Sequence, residues 1–138
     1  MMLKVLLFLF ISSFTFSQSI VGKWKTIDDE TGVEKSVVEI YEKNGFYYGK
    51  VIMIMEAEHR NKKCTLCKDE DHDKPILGLV VIKKLSKNDG VFNGGTITDP
   101  KNGKQYRCKI SLDGKNKLTV RGYIGISLFG RSQTWIRQ

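Results

Sequence analysis

A regular alternation of short strand-like segments with turn residues constrains the fold more than any other feature of the sequence. In residues 104–112, every second position from Tyr106 to Leu112 is apolar, and the positions between them are polar. This period of two predicts a strand with one buried face and one solvated face. The preceding turn, 99–103, contains a proline and an Asn-Gly pair, which favour a tight reversal. We therefore predict a hairpin between 91–98 and 104–112.

Six further segments predict strands because they are rich in β-branched and aromatic residues. They are 22–27, 36–42, 46–55, 76–85, 117–122 and 130–137. Turn residues separate the segments at the spacing of about 8–12 residues that is typical of sandwiches and barrels. Closure removes the exposed edges of such a sheet, so we predict an all-β, single eight-stranded antiparallel up-and-down barrel, with a sandwich as the structural alternative.

The N-terminal segment has the layout of a secretory signal peptide. Lys4 precedes an apolar run that is too short for a spanning helix, which needs about 20 residues. Thr15 and Ser17 place small side chains before a cleavage site at Gln18. We therefore predict a signal peptide over 1–17, one barrel domain over 18–138, and an exported, periplasmic or secreted protein that is not embedded in the membrane after cleavage.

The charge and the motif content exclude several classes of function. The chain has 23 Lys and Arg against 15 Asp and Glu, for a formal charge of +8. The lysines are spread over the turns without an arginine-rich helix, and export also disfavours nucleic acid, so we predict no nucleic-acid partner. No nucleophile elbow, phosphate-binding loop or zinc-protease helix occurs, so the sequence supports no catalytic residue.

Two segments, 46–55 and 76–82, are apolar on both faces, as residues that line a cavity would be. Eight-stranded barrels can enclose one small ligand. Our leading hypothesis is therefore a binding barrel for an apolar or amphipathic small molecule. Strand alternation predicts that the wall consists of Tyr48, Ile52, Ile54, Val80, Ile82, Tyr106, Ile110 and Val120. The alternative is an interaction module with a filled barrel, in which 123–129 forms an exposed apolar loop for a partner or for self-association.

Several blocks of the predicted barrel carry a family pattern. They are 22–24 (GKW), 37–41, 45–50, 64–67 (CTLC), 99–106 (DPKNGKQY), 118–125 and 129–137. Together they resemble the bacterial domain-of-unknown-function 2147 family. The resemblance implies export and a lipocalin-like (calycin-like) barrel, and it implies no catalytic residue. In such barrels a Gly-x-Trp tryptophan covers the closed end and an arginine of the last strand stacks on it. The resemblance therefore assigns this role to Trp24, with Arg137 as the best match among Arg121, Arg131 and Arg137.

A polar connection between two predicted strands holds the one stretch with obvious site chemistry. In an exported protein, Cys64 and Cys67 favour a disulfide that staples this loop. His59 and His72 flank the cysteines, so a tetrahedral zinc site of two thiolates and two imidazoles is an alternative, and zinc is the one cofactor that we consider. Thiol–disulfide exchange is a third possibility, although the strand–helix context of redox enzymes is missing. Cys108 alternates with apolar neighbours and is predicted to be a buried free thiol.

Overall fold

The computed structural model of the chain describes residues 9–12 and 19–138. It forms one closed antiparallel barrel in which each strand pairs with its neighbour in sequence and β1 closes on β8. The strands are β1 (Gly22–Ile27), β2 (Glu34–Lys43), β3 (Phe46–Ile54), β4 (Val80–Asn88), β5 (Val91–Thr98), β6 (Gln105–Asp113), β7 (Lys117–Tyr123) and β8 (Gly130–Arg137). The eight-stranded up-and-down barrel predicted from the turn spacing is confirmed.

Most of the predicted signal peptide 1–17 lies outside the described residues, as does the cleavage site at Gln18. In the part of the chain that the structure describes, no helix is long and apolar enough to cross a membrane.

The strand whose start differs most from the prediction is β4. Residues 76–79 were expected to belong to it, but the strand begins at Val80. Gly78 has a φ of +92°, far from the extended region, so the chain turns there before it enters the sheet. Two backbone hydrogen bonds hold this turn against β3, from Gly78 N to Val51 O at 2.7 Å and from Val51 N to Leu79 O at 3.0 Å.

One end of the barrel is closed by a tryptophan, as the resemblance implied. Trp24 is fully buried, and its indole N–H donates to the carbonyl of Ile20 at 2.8 Å. The guanidinium of Arg137 lies over the ring, with Cζ 4.2 Å from the ring centroid. The same guanidinium donates to the carbonyls of Lys115, Val21 and Ser19 at 3.0, 3.3 and 2.9 Å. Arg137 of the last strand therefore ties the segment before β1 and the β6–β7 turn together across the base of the barrel.

The core above this base is filled by apolar side chains. Tyr47 meets Phe92 edge to face, with ring centroids 4.9 Å apart. Cys108 is a free thiol, as predicted, and its burial raises the pKa to about 12. Gly49 has little room for a side chain, because a Cβ there would lie 3.0 Å from methyl groups of both Val38 and Ile82. Strands β2, β3 and β4 therefore approach closely at this level.

Several irregularities interrupt the strand pairing, and two of them bear on the predicted cavity wall. Val37 pairs with Met53 and Val38 with Val51, so Ile52 is an extra residue in β3. Gly49 pairs with Ile82 and Lys50 with Val80, so Val81 is an extra residue in β4. Each bulge reverses the simple alternation of faces along its strand.

Candidate functional site

A cavity of about 820 Å³ occupies the end of the barrel opposite Trp24. The connections at that end are 28–33, 55–79, 99–104 and 124–129. Residues from all four of them line the cavity, so they form its rim. Ligand pockets for small molecules span roughly 300–1,000 Å³, so the volume suits one such molecule.

The inner wall is mostly apolar, and all eight strands contribute residues to it. Its apolar members are Val38, Val51, Ile54, Val81, Ile97, Val120 and Trp135, and the ring of Tyr106 joins them. Most of these side chains also belong to the buried core, so the cavity lies directly above that core. Such a surface binds apolar groups by removing them from water.

One side of the wall, built by β1, β2 and β8, carries hydrogen-bonding groups. The hydroxyls of Thr26 and Ser36 are 2.7 Å apart, and the indole N–H of Trp135 donates to Gln133 Oε1 at 3.2 Å. Thr26, Ser36 and Gln133 all line the cavity. Their polar atoms are partly satisfied by one another and can also bind a polar group of a ligand.

A bidentate ion pair lies at the rim above these polar groups. Arg131 donates from Nε and Nη2 to the two carboxylate oxygens of Asp29 at 2.6 and 2.8 Å, and Nη2 also reaches Glu30 at 3.1 Å. The hydrogen bonds and charge of Asp29, followed by the charge of Glu30, raise the pKa of Arg131. Asp28 holds the same loop in shape, because its carboxylate accepts the backbone N–H groups of Glu30 and Thr31, which lowers the pKa of Asp28.

A second charged group lies across the rim. His59 Nε2 is 2.6 Å from Glu56 Oε2, and Lys35 Nζ is 3.5 Å from the other Glu56 oxygen. The charge of Lys35 and then that of His59 lower the pKa of Glu56. Among the described residues, Glu56, Glu58 and His59 form the group whose ligand atoms lie within 4.8 Å of one another, as metal ligands would. Its members are not buried, and His59 is already paired with Glu56.

The cysteine loop contains the predicted disulfide. Cys64 and Cys67 are bonded to each other, with Cα atoms 5.3 Å apart, and both are buried. The zinc alternative required both sulfurs as thiolates, so the set of His59, Cys64, Cys67 and His72 is not assembled. His72 instead has its Nδ1 3.0 Å from the Cys67 carbonyl oxygen.

Two contacts fix this stapled loop against the barrel. Asp71 is mostly buried and accepts a hydrogen bond from Lys83 of β4 at 2.6 Å. Burial acts to lower the pKa of Lys83, but the hydrogen bond and charge of Asp71 outweigh it and raise the pKa. Gly103 packs beneath the loop so closely that a Cβ there would overlap the carbonyl group of Leu66.

The predicted wall residues fall into three groups. Ile54, Tyr106 and Val120 line the cavity. Ile82 and Ile110 are fully buried, but they belong to the packed core and not to the cavity lining. The other three, Tyr48, Ile52 and Val80, are absent from the lining.

The bulges and the register explain the three misplaced residues. Ile52 is the extra residue of the β3 bulge, and Val80 precedes the extra residue of β4. Tyr48 lies between Tyr47 and Gly49, which face inward, and its ring stacks on Tyr41 with centroids 5.7 Å apart. Placing these three in the wall was therefore wrong by one residue of register. Ligand contact by Ile54, Tyr106 and Val120 stays a prediction.

Sequence reasoning did not select the polar members of the site, although a signal for them was present. Trp24 and Trp135 both face inward, and alternation by two from them leads to Thr26 and to Gln133 and Arg131. A prediction restricted to apolar wall residues omits these polar positions.

Three comparisons place the chain among known proteins. The family model described as "Uncharacterized protein conserved in bacteria (DUF2147)" matches residues 22–137. A search of curated proteins found no match. A solved structure entitled "Protein HP1028 from the human pathogen Helicobacter pylori belongs to the lipocalin family" is similar, with a TM-score of 0.77 and 22% sequence identity. The alignment covers 88% of this chain and 84% of that one, and at this identity it shows a shared fold.

Proposed function

The chain belongs to the DUF2147 family of bacterial proteins, and from the geometry of its barrel we propose that it binds one apolar or amphipathic small molecule. The observation that carries the proposal is the cavity of about 820 Å³ at the open end of a lipocalin-like barrel. A filled barrel, the alternative drawn from the sequence, would leave no such volume.

The distribution of polarity in the cavity supports an amphipathic ligand. Apolar side chains such as Val51 and Val120 surround the depth, and the hydroxyls of Thr26 and Ser36 lie along one side. Charged groups lie at the rim, where Arg131 follows Gln133 along the same face of β8. The apolar part of the ligand would lie in the barrel, with its polar part toward Gln133 and the rim.

Export is the second part of the proposal. It is supported by the signal-peptide layout of 1–17 and by the disulfide of Cys64 and Cys67, since disulfides persist mainly in oxidising compartments. Detection of the N-terminus at Gln18 in periplasmic or secreted material by mass spectrometry tests it. Retention of Met1 in that material would contradict it.

Titration of the delipidated protein with cis-parinaric acid, a fluorescent fatty acid, tests ligand binding. We expect saturable binding at one site per chain. Val120→Phe puts a larger side chain into the cavity and should weaken binding about tenfold, equivalent to ~1.4 kcal/mol. Thr119→Phe is the matched control, because it makes the same change one position away on the outer face of β7.

Thermal melts of both variants separate loss of the site from loss of the fold. Ile97→Phe repeats the test from β5, on another wall of the cavity. Absence of saturable binding to the folded wild-type protein would refute the proposal for fatty-acid-like ligands. Equal binding by wild type, Val120→Phe and Ile97→Phe would place the probe elsewhere and would equally refute it.

A further inference from the structure

The β7–β8 connection exposes apolar side chains beside the cavity mouth. Ile124, Ile126, Leu128 and Phe129 are between 59% and 76% exposed. Large apolar side chains grouped in this way on a surface mark an interaction site. We call residues 124–129 the apolar loop.

The apolar loop has a defined conformation. Its ends are joined by the hydrogen bond from Ile124 N to Phe129 O at 3.0 Å. Arg121 of β7 reaches up to it and donates to the carbonyls of Ser127 and Leu128 at 2.7 and 3.4 Å. The loop is thus held by its backbone, and its large apolar side chains stay exposed.

A basic face of the barrel adjoins the apolar loop. Arg107, Lys109 and Arg121 alternate with Cys108 and Val120, which are buried inside, so all three basic residues lie on the outer surface. Lys109 and Arg121 are direct partners across β6 and β7. In the described part of the chain, no carboxylate forms an ion pair with any of the three. Like charges opposite each other destabilise a sheet, and an anion over the pair would relieve that repulsion.

We propose that the apolar loop and the basic face together dock the protein on an anionic lipid bilayer. The apolar loop would enter the interface between headgroups and acyl chains, and Arg107 and Lys109 would contact lipid phosphates. Ile124 and Phe129 also line the cavity mouth, so the docked orientation brings that mouth to the lipid surface. The docking surface does not depend on which ligand the cavity binds.

The charges of the open end favour contact with the bilayer through the side of the barrel that carries β5 to β8. Two connections at the open end, 28–33 and 55–79, are acidic and adjoin β1 to β4. The other two, 99–104 and 124–129, adjoin β5 to β8. Their charged residues are one aspartate, Asp99, and two lysines, Lys101 and Lys104. A second copy of the chain fits less well, because a two-fold dimer through this patch would bring two basic faces together.

Co-sedimentation with vesicles tests the proposal in the mature protein. We expect binding to vesicles of phosphatidylcholine containing phosphatidylglycerol, weaker binding at higher salt, and little binding to phosphatidylcholine alone. Arg107→Gln with Lys109→Gln should reduce the partition coefficient about 25-fold, because each basic residue near such a surface contributes about fivefold. Ile126→Ser with Leu128→Ser should reduce it at least about tenfold, since both side chains would leave the apolar phase.

Matched controls come from the closed end. Phe46→Ser removes an exposed apolar side chain there, and Lys43→Gln with Lys115→Gln removes two exposed charges. These variants should bind vesicles nearly as wild type does. Neither Ile126 nor Leu128 lines the cavity, so cis-parinaric acid binding in solution should be unchanged in the loop variant. Failure of docking is thereby distinguished from failure of ligand binding.

Three results would overturn the proposal. One is absence of binding of folded wild-type protein to the anionic vesicles. The second is weaker vesicle binding by Arg107→Gln with Lys109→Gln while Ile126→Ser with Leu128→Ser binds as wild type does. That result would indicate only electrostatic attraction to a polyanion. The third is sedimentation of the free protein as a dimer that Ile126→Ser with Leu128→Ser converts to monomer, which would assign the loop to a second copy.

Discussion

The contact between Trp24 and Arg137 at the closed end is the part of the fold whose energetics can be tested most directly. Three variants are needed: Trp24→Ala, Arg137→Ala and the double variant. The single variants give the cost of each side chain, and the double-variant cycle isolates the interaction between them.

The structure sets the expected size of each effect. Trp24 is fully buried and its N–H binds the Ile20 carbonyl, so Trp24→Ala should cost about 3–5 kcal/mol of unfolding free energy. Arg137→Ala loses the stacking on the ring and three bonds to carbonyls that water can partly replace, for a cost of about 1–3 kcal/mol. The coupling should be about 0.5–2 kcal/mol, the range of a cation–π contact.

Urea unfolding followed by far-UV circular dichroism is the suitable assay, because tryptophan fluorescence changes when Trp24 itself is removed. Unfolding free energies are extrapolated to water, and the denaturant slopes should agree among the four proteins. A Trp24→Ala cost below about 1 kcal/mol would refute the closing role, since it lies outside the range for a buried Trp. Additivity within about 0.3–0.5 kcal/mol would refute the contact between the two side chains.

Three further predictions concern the loops and the thiols. Gly103→Ala should destabilise the protein by about 2–3 kcal/mol more than Gly114→Ala, measured by urea unfolding, because both have a φ near +70° but only Gly103 packs against another backbone; equal costs would contradict that packing. Iodoacetamide should modify no cysteine in the native protein, one in denaturant and three in denaturant with reductant, counted by intact mass, because Cys108 is buried and the other two are bonded; modification of native protein would contradict this. The pKa of Asp28 is lowered on folding, so its charge stabilises the fold above the ordinary value of 3.8, and that contribution is lost as pH falls. The melting-temperature advantage of wild type over Asp28→Asn should therefore shrink with acidification, and a constant difference would count against it.

The architecture could be read from the sequence because its signals are local. Turn residues at 43–45, 88–90, 99–103 and 113–116 fall at the observed connections of the barrel. The alternation in β6 was also correct, since Cys108 and Ile110 are buried. A period of two and the chemistry of turns depend on near neighbours in the chain, which a sequence displays directly.

The cavity wall was predicted only in part because its inward face depends on pairing between strands. Ile52 and Val81 are residues without a partner across the ladder, and each displaces the alternation after it. A bulge arises from the fit of two strands, so neither strand alone reveals it. Ile54 was placed correctly and Ile52 was not, although they lie two apart on one strand, because the bulge separates them.

The distribution of charge, like the bulges, depends on how the chain folds and cannot be obtained from a sequence total. The four open-end connections hold ten of the 15 acidic residues and only seven of the 23 Lys and Arg, so most of the basic excess lies elsewhere in the chain. The single sum of +8 does not indicate this distribution. Distributed on the barrel, it gives an acidic rim and a basic outer face on β6 and β7, with Lys109 opposite Arg121. An anionic partner would therefore be drawn to the side of the barrel beside the apolar loop. A ligand entering the mouth would instead meet charges that are already paired, such as Arg131 with Asp29.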